Sequence, residues 1–348
     1  MSEEIIGYTC PDCHHELKFD EKKYECTSCN AIWPIEYGIP RFGKRELFWS
    51  VFDKDVAEEV AEYAEQNTWE DAVQKYGEIL GDYTLGYIRN TSRSDWHVLL
   101  PIDPDSVVVD IGSGWGNIGL NIAKRCKQLY CGDANMQNLR LLKTRVRDEK
   151  ADNVKTFLYD ANEFLRLPFA DNSVDVAYLN GVLEWIGNVE HKASPDKLQL
   201  EALKEIRRIL KPGGSLYIGI ENRYSVSTIR GRSLHFEIPF VGLFPRWFSN
   251  AVTKMVRKMP HRTYVYSLFG YRRILNQSGF NDMDFYWPYP SYHDANYLIP
   301  LEPAWVKRYW FSKMMVSRSR KFRIACKMGL TYLPFHWLAY SYSIRARK

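Results

Sequence analysis

Residues 107 to 119 read Val-Val-Val-Asp-Ile-Gly-Ser-Gly-Trp-Gly-Asn-Ile-Gly, an apolar run ending in Asp110 that delivers three alternating glycines to the start of a helix. Gly112, Gly114 and Gly116 carry no Cβ, so the backbone can turn sharply at a strand tip and approach a ligand closely. N–H groups of the following helix are then expected to face that ligand. The spacing G-x-G-x-G differs from the dinucleotide pattern G-x-G-x-x-G, although Gly119 supplies a later glycine.

Four further segments continue the pattern. Gln128 to Gly132 reads as a second strand ending in Asp133, whose carboxylate can accept both hydroxyls of a ribose. Val154 to Tyr159 reads as a third, ending in Asp160-Ala161, where a carboxylate and a backbone N–H suit an adenine edge. Val174 to Asn180 reads as a fourth and runs into Gly-Val-Leu-Glu-Trp-Ile. A helix from Glu205 then closes on Lys-Pro-Gly-Gly and enters a fifth strand. Asn180 stands at the carboxyl end of its strand, where ligands of doubly wound sheets bind.

Taken in order over residues 95 to 222, these pieces resemble a class I S-adenosylmethionine-dependent methyltransferase of the quinone- and sugar-methylating type. The resemblance implies an α/β fold: a doubly wound, mostly parallel, Rossmann-like sheet of seven strands. It also implies that S-adenosyl-L-methionine lies against Asp110, Gly112, Gly114, Gly116, Asp133, Ala134, Asp160, Ala161 and Asn180. One departure stands out. Trp185 occupies the place where many small-molecule members carry His, so that acid or base is absent here. A sulfonium methyl is already activated, so its transfer needs an in-line nucleophile and a dry pocket more than strong acid or base groups. Trp115, Tyr178 and Trp185 can face such a cation or serve as ordinary core aromatics.

At the amino end Cys10-Pro-Asp-Cys13 is followed by Cys26-Thr-Ser-Cys29. Four thiolates in paired C-x2-C knuckles can close a tetrahedral structural zinc site, and a segment this short has too little core to fold without a staple. The unit resembles the zinc ribbon that precedes several methyltransferase domains. His14 and His15 are spare ligands or solvent-facing knuckle residues. The other cysteines, Cys126, Cys131 and Cys326, follow no pattern, and the first residues lack the basic-then-apolar run of a secretory signal. A reducing, cytoplasmic location is expected.

The 348 residues divide into a zinc ribbon at 1–45, a helical lid at 46–100, the cofactor-binding core at 101–222, an acceptor cap at 223–265, the end of the methyltransferase fold at 266–303 and a basic tail at 304–348. In the lid, Val56, Val60, Tyr63 and Ala64 keep helical spacing, and Thr68-Trp-Glu-Asp reads as a capping box. Tyr83, Tyr87 and Arg89 are possible cofactor contacts.

Charge is distributed unevenly. The chain is +5 overall, yet residues 223–273 hold ten Lys or Arg against Glu237 alone, and residues 305–348 hold eleven with no acid. These two segments sum to +20 and leave −15 elsewhere. Such lopsidedness points to an anionic partner: a lipid- or nucleotide-linked acceptor, an anionic bilayer touched peripherally on its inner face, or RNA. The cap crowds Arg, His, Trp and Phe side chains, and Glu221 or His235 is the expected general base. From Met328 to Ile344 no residue is charged and aromatics are interleaved, which suits a membrane-interfacial segment or a helix packed on the protein itself. Three functions compete: methylation of a small or lipid-linked acceptor such as an envelope glycan intermediate, base methylation of ribosomal or transfer RNA, and a non-catalytic protein that keeps the fold.

Overall fold

The first element of the chain is small and antiparallel. In the computed structural model, which describes residues 7–47, 53–160, 164–188, 193–232, 235, 238–316, 324 and 334–348, β1 (Leu17–Asp20), β2 (Lys23–Cys26), β3 (Ile32–Glu36) and β4 (Ile39–Pro40) form one four-stranded sheet in sequence order. Its apolar side does not stand alone. Trp33 and Phe42 join the core of the main domain, and the Phe42 N–H donates to the Leu158 carbonyl at 2.8 Å.

Three helices follow: α1 (Lys54–Gln66), α2 (Trp69–Lys75) and α3 (Gly77–Arg89), then a 3-10 stretch over Thr91–Leu99. The capping box forms as expected, with the Thr68 hydroxyl accepting from Asp71 N–H and the Asp71 carboxylate accepting from Thr68 N–H. Helix α1 turns Ala57, Val60, Ala61 and Ala64 inward. It is fixed to the main domain by Arg140, fully buried and paired with both Glu58 and Glu65. Removing either the arginine or both acids would strand charge in the interface.

The main sheet alternates strand and helix: β5 (Val107–Ile111), α4 (Gly119–Ala123), β6 (Gln128–Asp133), α5 (Met136–Asp148), β7 (Val154–Leu158), β8 (Val174–Asn180), α6 (Pro195–Ile209) and β9 (Leu210–Glu221). Beyond it come α7 (Val226–Ile229), α8 (Arg246–Arg257), α9 (Leu268–Gln277), β10 (Asp282–Tyr289), β11 (Tyr297–Pro300), α10 (Ala304–Val316) and β12 (Ser341–Arg347). The strand order is β11-β10-β12-β9-β8-β5-β6-β7, parallel from β9 to β7 and antiparallel across β12, β10 and β11. Strands β5, β6 and β8 are almost wholly buried because helices cover both faces, which explains their unbroken apolar runs.

The sequence expectation of a Rossmann-like methyltransferase sheet holds, with two corrections. The sheet has eight strands, not seven, because β11 adds a hairpin edge to β10. The methyltransferase fold also does not end at residue 303. The last residues of the chain return as β12 between β9 and β10, and Tyr342, Ile344 and Ala346 are buried in the core. What reads as an uncharged interfacial segment is, from Ser341 onward, a central strand. Its two arginines are neutralised across the pair, Arg345 by Asp284 and Arg347 by Asp282. Met328 to Leu333 of that segment lie outside the described residues, as does Phe236 of the cap. Among the described residues no helix is long and apolar enough to cross a membrane.

Because Ile344 is fully buried in a strand paired on both sides, Ile344→Ala should lower the unfolding free energy by about 3 kcal/mol, read from urea denaturation. An unchanged midpoint would contradict the central position of β12.

Candidate functional site

The parallel strands end on one side of the sheet, and the loops there enclose a cavity of about 460 Å³, within the range of ligand pockets. One end is lined by Gly112 and Gly114 of the glycine turn after β5, whereas Gly116, expected there too, is not among the lining residues. Gly112 and Gly116 have φ near +79° and +78°, and a Cβ on either would meet Val182 at 2.4 Å or Leu142 at 2.1 Å. No other residue fits those two positions. Gly114 faces open space.

The turn is held by Asp133. Its Oδ2 accepts the Gly114 N–H at 2.8 Å, while Oδ1 accepts the Asn135 N–H at 2.9 Å and the Asn138 amide at 3.5 Å. The N–H groups of Gly112 and Ser113 both donate to the Gly132 carbonyl, and that of Gly116 donates to Ser113. The N–H groups of Gly112, Ser113, Gly114 and Gly116 are therefore bonded within the protein. The loop contributes shape and close approach. A carboxylate has roughly four lone-pair directions, so Asp133 keeps capacity for one ribose hydroxyl, and a two-hydroxyl grip requires one present donor to yield.

Asp110, Ala134, Asp160 and Asn180 also line the cavity, as the sequence predicts, whereas Ala161 lies outside the described residues. Asp160 is more engaged than expected. Its Oδ2 accepts the N–H groups of Lys44 and Arg45 at 3.0 and 3.1 Å, which ties the segment leaving the amino-terminal sheet to the cavity that Leu47 of the same segment lines. Asp110 is buried with no hydrogen-bond partner for Oδ2. Burial, reinforced by the neighbouring Asp133 charge, pushes its carboxyl up to about 8.

Of the three aromatics, Trp115 and Trp185 line the cavity, and Trp115 is fixed by an indole N–H bond of 2.8 Å to Asn138. Tyr178 does not line it. It packs beneath the loop against Trp96 at 4.8 Å, a core position. Tyr83 and Tyr87 of the lid line the cavity, but Arg89 pairs with Glu70 in a separate groove.

The opposite end joins side chains from four segments. Glu221, at the tip of β9, accepts the Tyr292 hydroxyl at 3.0 Å and lies 3.6 Å from His235 Nε2. Glu184 completes the group: ligand-capable atoms of Glu184, Glu221 and His235 lie within 4.8 Å of one another. The two expected bases are thus brought together, with a second carboxyl that sequence reading passed over although it sits in the quoted Val-Leu-Glu-Trp block. Burial and the Glu221 charge drive the Glu184 pKa well up, so it holds a proton. Burial works to raise Glu221 too, but His235 overcomes it and keeps that carboxylate ionised below the usual range. The pair shares one proton. Asn180 sits nearby with neither amide atom bonded.

Arg93 and His293 were likewise missed. Arg93 is 3% exposed, lies over the Tyr87 ring at 3.6 Å and leaves Nε without a partner. Its signal was absent from the sequence, since one arginine in a helical stretch has no spacing to mark it. Away from the cavity, the sulfurs of Cys10, Cys13, Cys26 and Cys29 cluster at 3.3 to 3.6 Å, with backbone N–H groups of Ser28 and Cys29 directed at Cys26 Sγ, an arrangement able to hold a metal ion.

Residues 109–218 match the methyltransferase domain family. Demethylmenaquinone methyltransferase of Porphyromonas gingivalis is 29% identical over 190 residues, covering 52% of this chain and 72% of that protein. The ubiquinone/menaquinone biosynthesis C-methyltransferase of Paraburkholderia phymatum is 33% identical over 144 residues, covering 40% of this chain and 54% of that one. With several further relatives the chain likewise spans about half their length, as for the 52% of the Cereibacter sphaeroides enzyme. A solved structure of Haemonchus contortus phosphoethanolamine N-methyltransferase 1 aligns with TM-score 0.45 and 15% identity, over 86% of this chain and 51% of that one. The chain carries a class I S-adenosylmethionine-dependent methyltransferase domain, and the residues around the glycine turn fit that cofactor.

A cationic sulfonium held in this cavity, which Asp110 lines, would favour the charged form of that carboxyl. Cofactor binding near pH 7 should therefore release up to about one proton, and the release should fade above pH 8, where the carboxyl is already ionised. Calorimetric titration in buffers of different ionisation enthalpy reads this directly. The dependence should vanish in Asp110→Asn, and a buffer-independent heat for the parent would refute it.

Proposed function

We propose that this protein transfers a methyl group from S-adenosyl-L-methionine to a small or lipid-linked acceptor carrying an anionic group, with Glu221 as general base. The observation that carries the reading is the continuity of one cavity from the Gly112–Gly116 turn to the Glu184–Glu221–His235 group. Asp133 serves one ribose hydroxyl through its remaining acceptor direction, Asp160 borders the adenine, and the buried Arg93 guanidinium offers a charge for the methionine carboxylate. When bound, the cofactor supplies an electrophilic methyl group.

The chain's own residues do the rest. Glu221 takes the acceptor's proton at Oε2, which has no partner in the structure. Tyr292 and His235 hold Glu221 ionised and oriented through Oε1. Glu184, kept neutral, can donate a hydrogen bond to an acceptor oxygen, as a buried protonated carboxyl does. Trp185 and the lid tyrosines Tyr83 and Tyr87 exclude water. The imidazole missing from the Val-Leu-Glu-Trp block is supplied from the cap, with His235 packed on Trp185 at a centroid distance of 4.8 Å.

The quinone-methylating relatives support an acceptor with a lipid portion, and the basic cap supports an anionic one. The tRNA N(3)-cytidine methyltransferase of Mus musculus, 29% identical over 128 residues, favours RNA as the second reading. Purified protein incubated with methyl-labelled cofactor and with separated lipid, soluble and RNA fractions should label the lipid or soluble fraction; label in RNA alone would overturn the first reading. Glu221→Gln should reduce transfer by about 100-fold or more while leaving cofactor affinity intact. Since Glu221 is held below its ordinary pKa and Glu184 above it, kcat/KM should fall as acid protonates Glu221 and again as alkali ionises Glu184. Glu184→Gln should remove the alkaline limb.

We further propose that the four cysteines hold a structural zinc ion. The sulfur separations approach the roughly 3.8 Å edge of a tetrahedron with Zn–S bonds of about 2.3 Å. Metal analysis should find one zinc per chain, lost with a drop in melting temperature when Cys26 and Cys29 are both changed to Ser. A metal-free parent at full stability would count against the site.

A further inference from the structure

Helix α8 is amphipathic in the reverse sense. Its buried positions are Ser249 and Thr253, and the Ser249 hydroxyl donates to the Val241 carbonyl at 2.8 Å. Val252 is half-buried against Val241 and Val265, but larger apolar side chains face outward: Trp247 is 73% exposed, Met255 77% and, just past the helix, Met259 64%. Trp247, Ala251 and Met255 recur every four residues, so they form one stripe along the helix, and Met259 lies exposed just past its end. Lys254 and Lys258 are exposed beside it, and no acidic residue occurs between positions 238 and 273.

We infer that the outer face of α8 docks on an anionic lipid bilayer, lying in the headgroup plane with its apolar stripe immersed. The occupant follows from the chemistry of the face. A stripe of Trp, Ala and Met with lysines beside it and no acids in the segment matches apolar acyl chains below and anionic phosphates around, which is the pattern of helices that lie in a membrane interface. RNA would be served by the lysines and could stack a base on Trp247, but Ala251, Met255 and Met259 offer no further ring, whereas acyl chains would cover all four. The face is also tied to the cavity. Arg223, two residues past Glu221, donates from Nε to the Gly242 carbonyl at 2.8 Å and also binds the Phe244 carbonyl immediately before α8. The membrane contact belongs to the cap near the acceptor end, not to the carboxyl-terminal segment, whose last residues are spent in the sheet. The inference goes beyond the catalytic proposal and stands on the surface alone.

The test is co-sedimentation of the full-length protein with vesicles of phosphatidylcholine alone and of equal parts phosphatidylcholine and phosphatidylglycerol. The parent should bind the anionic vesicles and be released by high salt. Trp247→Ser with Met255→Ser should reduce the partition coefficient at least about tenfold, and Lys254→Glu with Lys258→Glu should remove the salt dependence. Both pairs are exposed and outside the cavity, so cofactor binding should persist in them, which separates failure of this inference from failure of the methyltransferase reading. Three results would overturn it: no vesicle binding by the parent, equal binding by the Trp247/Met255 variant, or a face covered instead by self-association or by RNA at the same salt.

Discussion

A single carboxylate organises the cofactor end of this protein. Asp133 closes β6, caps the backbone entering α5 through Asn135 and clamps the Gly114 N–H of the turn that leaves β5. Two adjacent parallel strands therefore share one acceptor at their tips, and the turn cannot relax without leaving a buried carboxylate short of donors. The positive φ at Gly112 and Gly116 is the backbone consequence, because Val182 and Leu142 fill the space that any side chain would need. Van der Waals packing and one charge-assisted network thus specify the same loop shape.

The amino-terminal sheet is part of this arrangement and not an appendage. Phe42 extends the hydrogen bonding of β7 through Leu158, and Lys44 and Arg45 give their N–H groups to Asp160. Leu47 then donates to the carbonyl of Ala134, on the strand tip that carries Asp133. Whatever stabilises the four-cysteine unit is coupled to the wall of the cavity through these bonds. Loss of order in one should loosen the other, since no long linker separates them.

Much of this was legible in sequence. Strands β5, β6 and β8 are continuous apolar runs because they are buried on both faces, and their carboxyl-terminal residues Asp110, Asp133 and Asn180 mark the cavity because a parallel sheet aligns its ends. The glycine turn was readable from local sterics alone. Three things were not readable. The position of β12 depends on pairing with a strand over a hundred residues earlier, and Ser341 to Ile344 read as the end of an uncharged interfacial run because the arginines that follow are neutralised only across β10. Arg93 and Tyr292 reach the cavity through tertiary packing that no periodicity encodes. Tyr178 follows the strand's alternation to the wrong face for a ligand, a consequence of register that a list of aromatics does not carry.

The acceptor end shows how the cap alters the chemistry of a common sheet. Two buried carboxyls close together cannot both be charged, and without a third group their shared proton would be divided between them. His235, entering from the cap with a left-handed backbone at φ 54°, breaks that symmetry by favouring charge on Glu221. The strand tip supplies the charged carboxylate, the Leu183–Trp185 turn supplies the neutral one, and the cap decides which is which. The asymmetry of the carboxyl pair therefore depends on a residue that the cap contributes and not on the sheet alone.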